Sequence, residues 1–451
     1  VSDTSTITAA PTGVFTRDQV EILSARKGEA DWVREARLAA YEEFAAQPMP
    51  QRSAEDWRYT YARLNKALDL EALAFAEERG PLGGIDALPA GLRALVDDGG
   101  EAAARMGQVD GSLVWRELPE ELAAQGVIFT TLENAVREHP ELVRGRLGAA
   151  LAPEAGKFAA MNAAFWTAGV FVYVPKDVKV ALPLRTWRWM GDAGTAVFAR
   201  TLVVAEAGAE VSVVDELGST DFGRAALHVG AAEIFAEDSA RVIYVASQRF
   251  GQGVLHLQTD RLSAGRDARI TTLYSTLGSD LTRADVRCSL REPGSHVDML
   301  GIYIGQGTQH FDHETLQDHV APHASSNLLF KGALDDEARS VFRGLIRVHP
   351  RAQRTDAYQT NRNLVLSAQA RADSLPNLEI QADDVRCSHA ATVGQLDEEE
   401  VFYLLSRGIP KGEAVRLVVF GFFSEVLDQL PLDGVRKELL GAVERKLARR
   451  F

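Results

Sequence analysis

In "DDVRCSHAATVGQLDEEE", residues 383–400, one of only two cysteines in the chain stands two residues before a histidine. Thiolate and imidazole are fair ligands for iron or an iron–sulfur cluster. The segment reads as a strand giving way to a helix. Residues i and i+2 of a strand share a face, so Cys387 and His389 point the same way. A cluster takes about four ligands, and this segment offers two donors, so the others would have to come from elsewhere. The same alternation puts Val385, Ala391 and Val393 on that face, with Asp384, Arg386 and Ser388 opposite, which is how an interior face looks. A buried, inert cysteine beside a satisfied histidine is the competing reading.

Other chemistry is thinner. His310, His313, His319 and His323 crowd into "HFDHETLQDHVAPHASS", but their spacing fits no helix-borne zinc motif and no cysteine frames it. Histidines stacked on successive turns of a coiled β structure are the expected alternative. Cys288 sits beside Arg287 and Arg291, which would lower its pKa on close approach, although a lone thiol in a strand is more often core. Asp335, Asp336 and Glu337 are adjacent in an apparent turn. There is no GxxxxGK[ST] loop, GxSxG elbow or CxxC pair, so ATP hydrolysis by this chain alone is not expected.

The elements that hold these residues fall into three regions: 1–160, largely helical; 161–393, strand after strand; and 394–451, helical again. In the first, "EADWVREARLAAYEEFAAQ" carries an apolar stripe at helical spacing, and Gly- and Asp-rich stretches such as "DDGGEAAARMGQVDGS" read as loops. In the second, short β-branched and aromatic runs alternate with turns, and no amphipathic helix intervenes, which excludes a doubly wound fold. Ala240, Ala268, His296 and Ala324 recur at steps of 28 residues, with the apolar register slipping by one in the third copy. Two strands and two turns per repeat suit one coil of a β-solenoid, whose ends need covering; the flanking helices would do this. A β-sandwich is the alternative fold.

In the last region, Asp397 and Glu400 resemble a capping box before "EEEVFYLLSR", and Gly408 with Pro410 ends that helix. "GEAVRLVVFGFFSEVLDQL" is apolar on almost every side, so it must meet something on more than one face. With 63 acidic against 49 basic residues the net charge is −14, which argues against nucleic acid, and the basic tract "VERKLARRF" suits a helix C-terminus. No apolar run is long enough to span a bilayer and the start lacks the order of a signal peptide, so a cytoplasmic protein with free thiols is expected. Some β-solenoids are polysaccharide lyases or hydrolases, which supplies a rival function.

The stretch "NRNLVLSAQARADSLPNLEIQADDVRCSHAATVGQLDEEEVFYLLSRGI", with "SVFRGLIRVHPRAQRTDAYQT" before it and "EDWRYT" near the start, resembles the SufB/SufD family of iron–sulfur cluster assembly scaffolds, in its SufD form. The resemblance implies a right-handed parallel β-helix between helical ends, and no catalytic activity. It implies partnership with SufB and the ATPase SufC, and a transient cluster formed where SufB and SufD meet. By the same resemblance His389, accompanied by Cys387, would be a nascent-cluster ligand whose missing partners SufB supplies. The C-terminal helices, around Phe420, Phe422 and Phe423, would dock onto SufC. The interior-looking face would open when ATP binding shifts the shape of the complex. A homodimer of the isolated chain is a further possibility, because an unpaired solenoid edge invites self-pairing.

Overall fold

A computed structural model describes residues 13–448; Arg449, Arg450 and Phe451, the end of the basic tract, lie outside them. Sixteen strands of residues 168–395 alternate between two sheets, so that each pair of strands makes one coil and eight coils stack in parallel. The first sheet holds Ala168–Val174, Thr195–Ala205, Ala226–Ala236, Val254–Ala264, Leu281–Leu290, His310–His319, Arg339–Val348 and Arg371–Ile380. The second holds Leu184–Met190, Glu210–Ser219, Arg241–Arg249, Arg269–Thr276, His296–Gly305, Ser325–Leu334, Asp356–Val365 and Arg386–Gln395. The protein is thus a β-solenoid with helices at both ends of the chain, the expected fold, and not the alternative β-sandwich.

The turns explain why the repeat is ragged. Along the second sheet the rungs step by 28, 27, 29, 31 and 30 residues from Arg241 to Arg386. Ser295, not His296, is therefore the true successor of Ala240 and Ala268, and the turn Pro293–Gly294 is one residue short. Two residues before six strands of this sheet, those starting at Glu210, Arg241, Arg269, His296, Ser325 and Asp356, the chain turns through a positive φ of 54–76°, at Gly208, Ser239, Asp267, Gly294, His323 and Arg354. Such a backbone bend reverses direction between sheets, and only two of the six positions carry the glycine that adopts it without strain. His323 is one of these bend residues.

Three cores lie side by side. Between the sheets, inward side chains stack in columns such as Val211, Val242, Ile270 and Val297. Outside the first sheet, Phe171, Phe198, Leu202, Leu227, Leu255 and Leu257 meet the N-terminal helices, among them Asp31–Ala46 and Lys157–Phe165. From the next coil onward the outward residues of this sheet become charged, with Arg283, Asp312, Glu314 and Arg343 in one ion-paired lattice. That change of surface sets where the helical cover stops, and the segment around Trp57 and Thr60 closes over the lattice instead. Thr60 Oγ1 hydrogen-bonds His310 Nε2 at 2.9 Å and also donates to Asp312.

Outside the second sheet, Val214, Val245, Leu273, Leu300, Ile302 and Leu329 receive the helices Lys411–Leu427 and Asp433–Ala448. The apolar surface expected on the C-terminal helix is thereby largely spent within the chain.

Two expectations need correction. The first region is not purely helical: "ARMGQVDGSLVWRE" forms an antiparallel hairpin, Ala104–Val109 and Ser112–Glu117, around the Asp110–Gly111 turn. This hairpin extends the second sheet, while Ile128–Thr130 pairs with the first strand of the first sheet, so strands cover the N-terminal end of the stack. The C-terminal helices do not cover the other end. They lie across the outer face, and the strands Arg371–Ile380 and Arg386–Gln395 remain the outermost members of their sheets among the described residues. At the level of elements, the helix Lys157–Phe165 crosses position 160 and the last strand crosses position 393. No helix among the described residues is long and apolar enough to cross a membrane.

Candidate functional site at the open end of the solenoid

Cys387 and His389 lie on the last strand of the second sheet, Arg386–Gln395, and their backbone partners one coil below are Ala357 and Gln359. Both belong to inward columns: Cys387 continues Val297, Ser326 and Ala357, and His389 continues Met299, Leu328 and Gln359. The interior pattern read from the sequence is therefore correct. What differs is exposure, since among the described residues no further coil is stacked above. Ala357 and Gln359 are buried, whereas Cys387 is only half-buried and His389 is exposed. The pair is accessible without any change of shape. Along the strand the two residues are roughly 7 Å apart and share one face.

The surroundings divide the open end. Cys387 packs with Val385 against Ile346, Val348, Ala352, Ala357 and Ala382. Burial there, with Asp356 nearby, holds its thiol above the ordinary cysteine range. Exposed Leu378, Ile380 and Val393 add apolar surface to the same rim. Two donors do not complete a metal site, and among the described residues no group of three or more His, Cys, Asp and Glu side chains is placed to hold an ion. The donor types fit iron; their number fits only part of a site.

The other candidates are structural. Cys288 is fully buried, in an inward column of the first sheet, and burial drives its thiol far above the usual value, so the neighbouring arginines do not activate it. His310, His313 and His319 share one strand rather than stacking on successive coils. His310 faces out to Thr60; His313 faces in, bonded to Thr276 at 3.0 Å and stacked on Tyr303 at 4.9 Å; His319 bonds Ser326 at 2.7 Å. Burial lowers the pKa of each of these three to about 4. The histidines that do stack on successive coils are His228 and His256, with Nδ1 atoms 3.0 Å apart. Asp336 of the carboxylate trio turns through a positive φ and accepts from the Gly307 N–H at 2.8 Å, a turn role.

Of the three phenylalanines, Phe423 is fully buried in the helix–sheet core, and Phe422 and Phe420 are half-buried. Lys331, itself buried, donates to the Phe422 carbonyl at 2.8 Å, pairs with Glu425 and stands 4.4 Å over the Phe422 ring, which clamps the helix to the sheet. The unpartnered surface belongs instead to the preceding helix, Glu398–Ser406, capped by Asp397 accepting from the N–H groups of Glu399 and Glu400. Phe402 is 69% and Tyr403 57% exposed, with Leu405 close to 40%, as is Leu417 on the following helix. In the sequence this helix is marked by its caps, and the adjacent Phe402 and Tyr403 are the one signal there of a further surface.

An eight-coil parallel solenoid, closed by strands at one end and presenting a Cys-Ser-His strand at the other, defines the protein as a β-solenoid with one end left uncovered among the described residues. Comparison with known families agrees with the residue-level resemblance. The family described as SUF system FeS cluster assembly, SufBD core domain, matches residues 188–422, and the SufBD protein N-terminal region matches residues 102–186. The iron–sulfur cluster assembly protein SufD of Bacillus subtilis is 32% identical over 437 residues, covering 96% of this chain and 98% of that protein. SufB of the same organism is 28% identical over 440 residues, covering 93% of this chain and 90% of that protein. A SufBD family protein of Mycobacterium leprae is 35% identical over 312 residues, covering 67% of this chain and 78% of that protein. The chain belongs to the SufBD family of iron–sulfur cluster assembly proteins.

Proposed function

We propose that this chain is a non-catalytic scaffold subunit of the SufD kind, acting in the cytoplasm beside a SufB-type chain and the ATPase SufC. In this reading Cys387 and His389 are part of a nascent-cluster site, and the SufB-type chain completes it across the open end of the solenoid. The cluster is cargo, held transiently, not a resident cofactor. The observation that carries the reading is the last coil: two iron-compatible donors sit on an unpaired sheet edge instead of beneath another rung. An unpaired edge is a template for another chain's backbone. A relative named SufB that aligns over nearly the whole length supports a partner of the same build. The reading takes the SufC dock to be the face of Glu398–Ser406 bearing Phe402 and Tyr403, together with the half-buried Phe420 and Phe422, because Phe423 has no surface to offer.

The test is complementation in cells lacking the wild-type gene. His389→Ala should leave co-purification with the SufB-type and SufC chains intact while cluster maturation is lost. Normal maturation would overturn the assignment.

A further inference from the structure

The interior of the solenoid changes character just beneath the open end. Where the coil below presents Ser326, Leu328, Phe330 and Gly332, the coil under Cys387 and His389 presents Ala357, Gln359, Asn361 and Asn363, all nearly fully buried. Among the described residues the last coil has nothing above it, and Leu378, Ile380 and Val393 are 37–48% exposed, so apolar contact alone holds it weakly. Side-chain hydrogen bonds supply the remainder. Gln359 Nε2 donates across the core to the carbonyl of Asn377 at 3.0 Å and to that of Gly344 at 3.4 Å. Ser374 Oγ donates to Asn361 Oδ1 at 2.8 Å. Asn377 and Ser374 lie on the last strand of the first sheet, so these bonds tie that strand to Asp356–Val365, the strand on which the donor strand Arg386–Gln395 is laid.

Gly344 makes the crossing possible. A Cβ at that position would stand 2.2 Å from Gln359 Oε1 and 2.9 Å from the Phe342 ring, and the glycine's bareness is the room the amide occupies. A leucine would fill the column equally well, as Leu328 does one coil below. What the glutamine adds is the bond to Asn377. Residues that hold a ligand's strand or ring in place, without touching the metal, commonly set affinity by about 10–100-fold.

We propose that Gln359, admitted by Gly344, is a positioning residue for the Cys387–His389 pair, fixing Asp356–Val365, the strand whose backbone carries the donor strand and whose Gln359 lies directly beneath His389, against the last strand of the first sheet. The inference rests on reading that pair as cluster ligands.

The test uses the full chain with cobalt(II) alone as probe, reading the thiolate-to-cobalt absorption band, together with amide hydrogen exchange over residues 371–395. Cys387→Ala and His389→Ala define the ligand signal. Gln359→Met keeps the volume and removes the bond; Gly344→Ala evicts the amide without touching it. Both should keep the far-ultraviolet spectrum of the wild type, speed exchange in the two last strands, shift the cobalt band and weaken cobalt binding about tenfold or more. Combined, they should do no more than either alone, because they break one contact. Wild-type affinity and band shape in Gln359→Met would overturn the proposal. Should Cys387→Ala and His389→Ala leave the band unchanged, the cluster-ligand reading falls by itself. Exchange then decides the brace: unaltered protection of residues 371–395 in Gln359→Met would overturn it.

Discussion

Cys387 and Ala357 are backbone partners on the last rung of the second sheet, one directly above the other in the same inward column, and only Ala357 is covered. A side chain can thus be interior by pattern and accessible by position, provided the stack stops there. This resolves the tension between the alternation around Cys387 and a role at a surface. It also assigns distinct behaviour to the two thiols of the chain.

Alkylation should separate them. Cys387 should react with iodoacetamide in the native protein while Cys288 does not, and full labelling of both should require denaturant. Burial and Asp356 hold the Cys387 thiol above its ordinary pKa, so its reaction should be slow at neutral pH and accelerate into the alkaline range. Asp356→Asn removes the adjacent negative charge and should speed the reaction at a fixed pH; a slower rate would contradict this placement.

Acid should weaken the fold in a defined window. His256 has its pKa lowered by burial to about 3, and His310, His313 and His319 to about 4, below the unfolded value of about 6.5. Each is neutral when folded and takes a proton more readily when unfolded. Stability is therefore fullest above the unfolded pKa and falls as pH drops from about 6.5 towards 4, by on the order of 3 kcal/mol per histidine at the lower limit. Urea midpoints measured across that range should fall with pH, and His313→Gln should flatten the slope. A midpoint independent of pH would contradict burial of these rings.

The C-terminal phenylalanines and the aromatics before them should part company. Phe423→Ala opens a hole in the helix–sheet core and should cost about 3–5 kcal/mol of stability, measured by denaturant unfolding. Phe402→Ala, at an exposed position, should change stability by less than about 0.5 kcal/mol while reducing retention of SufC in a pull-down. Equal destabilisation by both would contradict the placement of these helices, and full retention of SufC by Phe402→Ala would move the dock elsewhere.

The fold class was legible because two strands and two turns per repeat have few other solutions, and Ala240, Ala268 and Ala324 do lie in one column. His296 missed that column because the turn before it is a residue short, a length that alternation along a strand does not register. The grouping of His310, His313 and His319 misled for a related reason: neighbours in sequence on a strand are dispersed between inner and outer faces, whereas His228 and His256, 28 residues apart, meet on adjacent coils. The helix Asp31–Ala46 was evident, yet its buried face includes Arg37, held by Glu29 at 2.7 Å and lying 3.9 Å from the Trp166 ring, a charge that no apolar stripe foretells. The strands of the second sheet gave no sign of where the C-terminal helices would lie, since residues such as Leu300 and Ile302 face outward and are as apolar as the interior. A repeat also does not announce its own end, and the accessibility of Cys387 and His389 depends on that alone.

The most direct test of the proposed half-site is iron and sulfide content of the complex formed with the proposed SufB-type and SufC partners, purified anaerobically after cluster reconstitution. The wild-type chain should carry cluster, seen as iron, acid-labile sulfide and visible absorption in matching amounts. A complex with His389→Ala, assembled in equal yield, should carry little, and one with Cys387→Ala less than wild type. A His389→Ala complex as loaded as wild type would contradict the account.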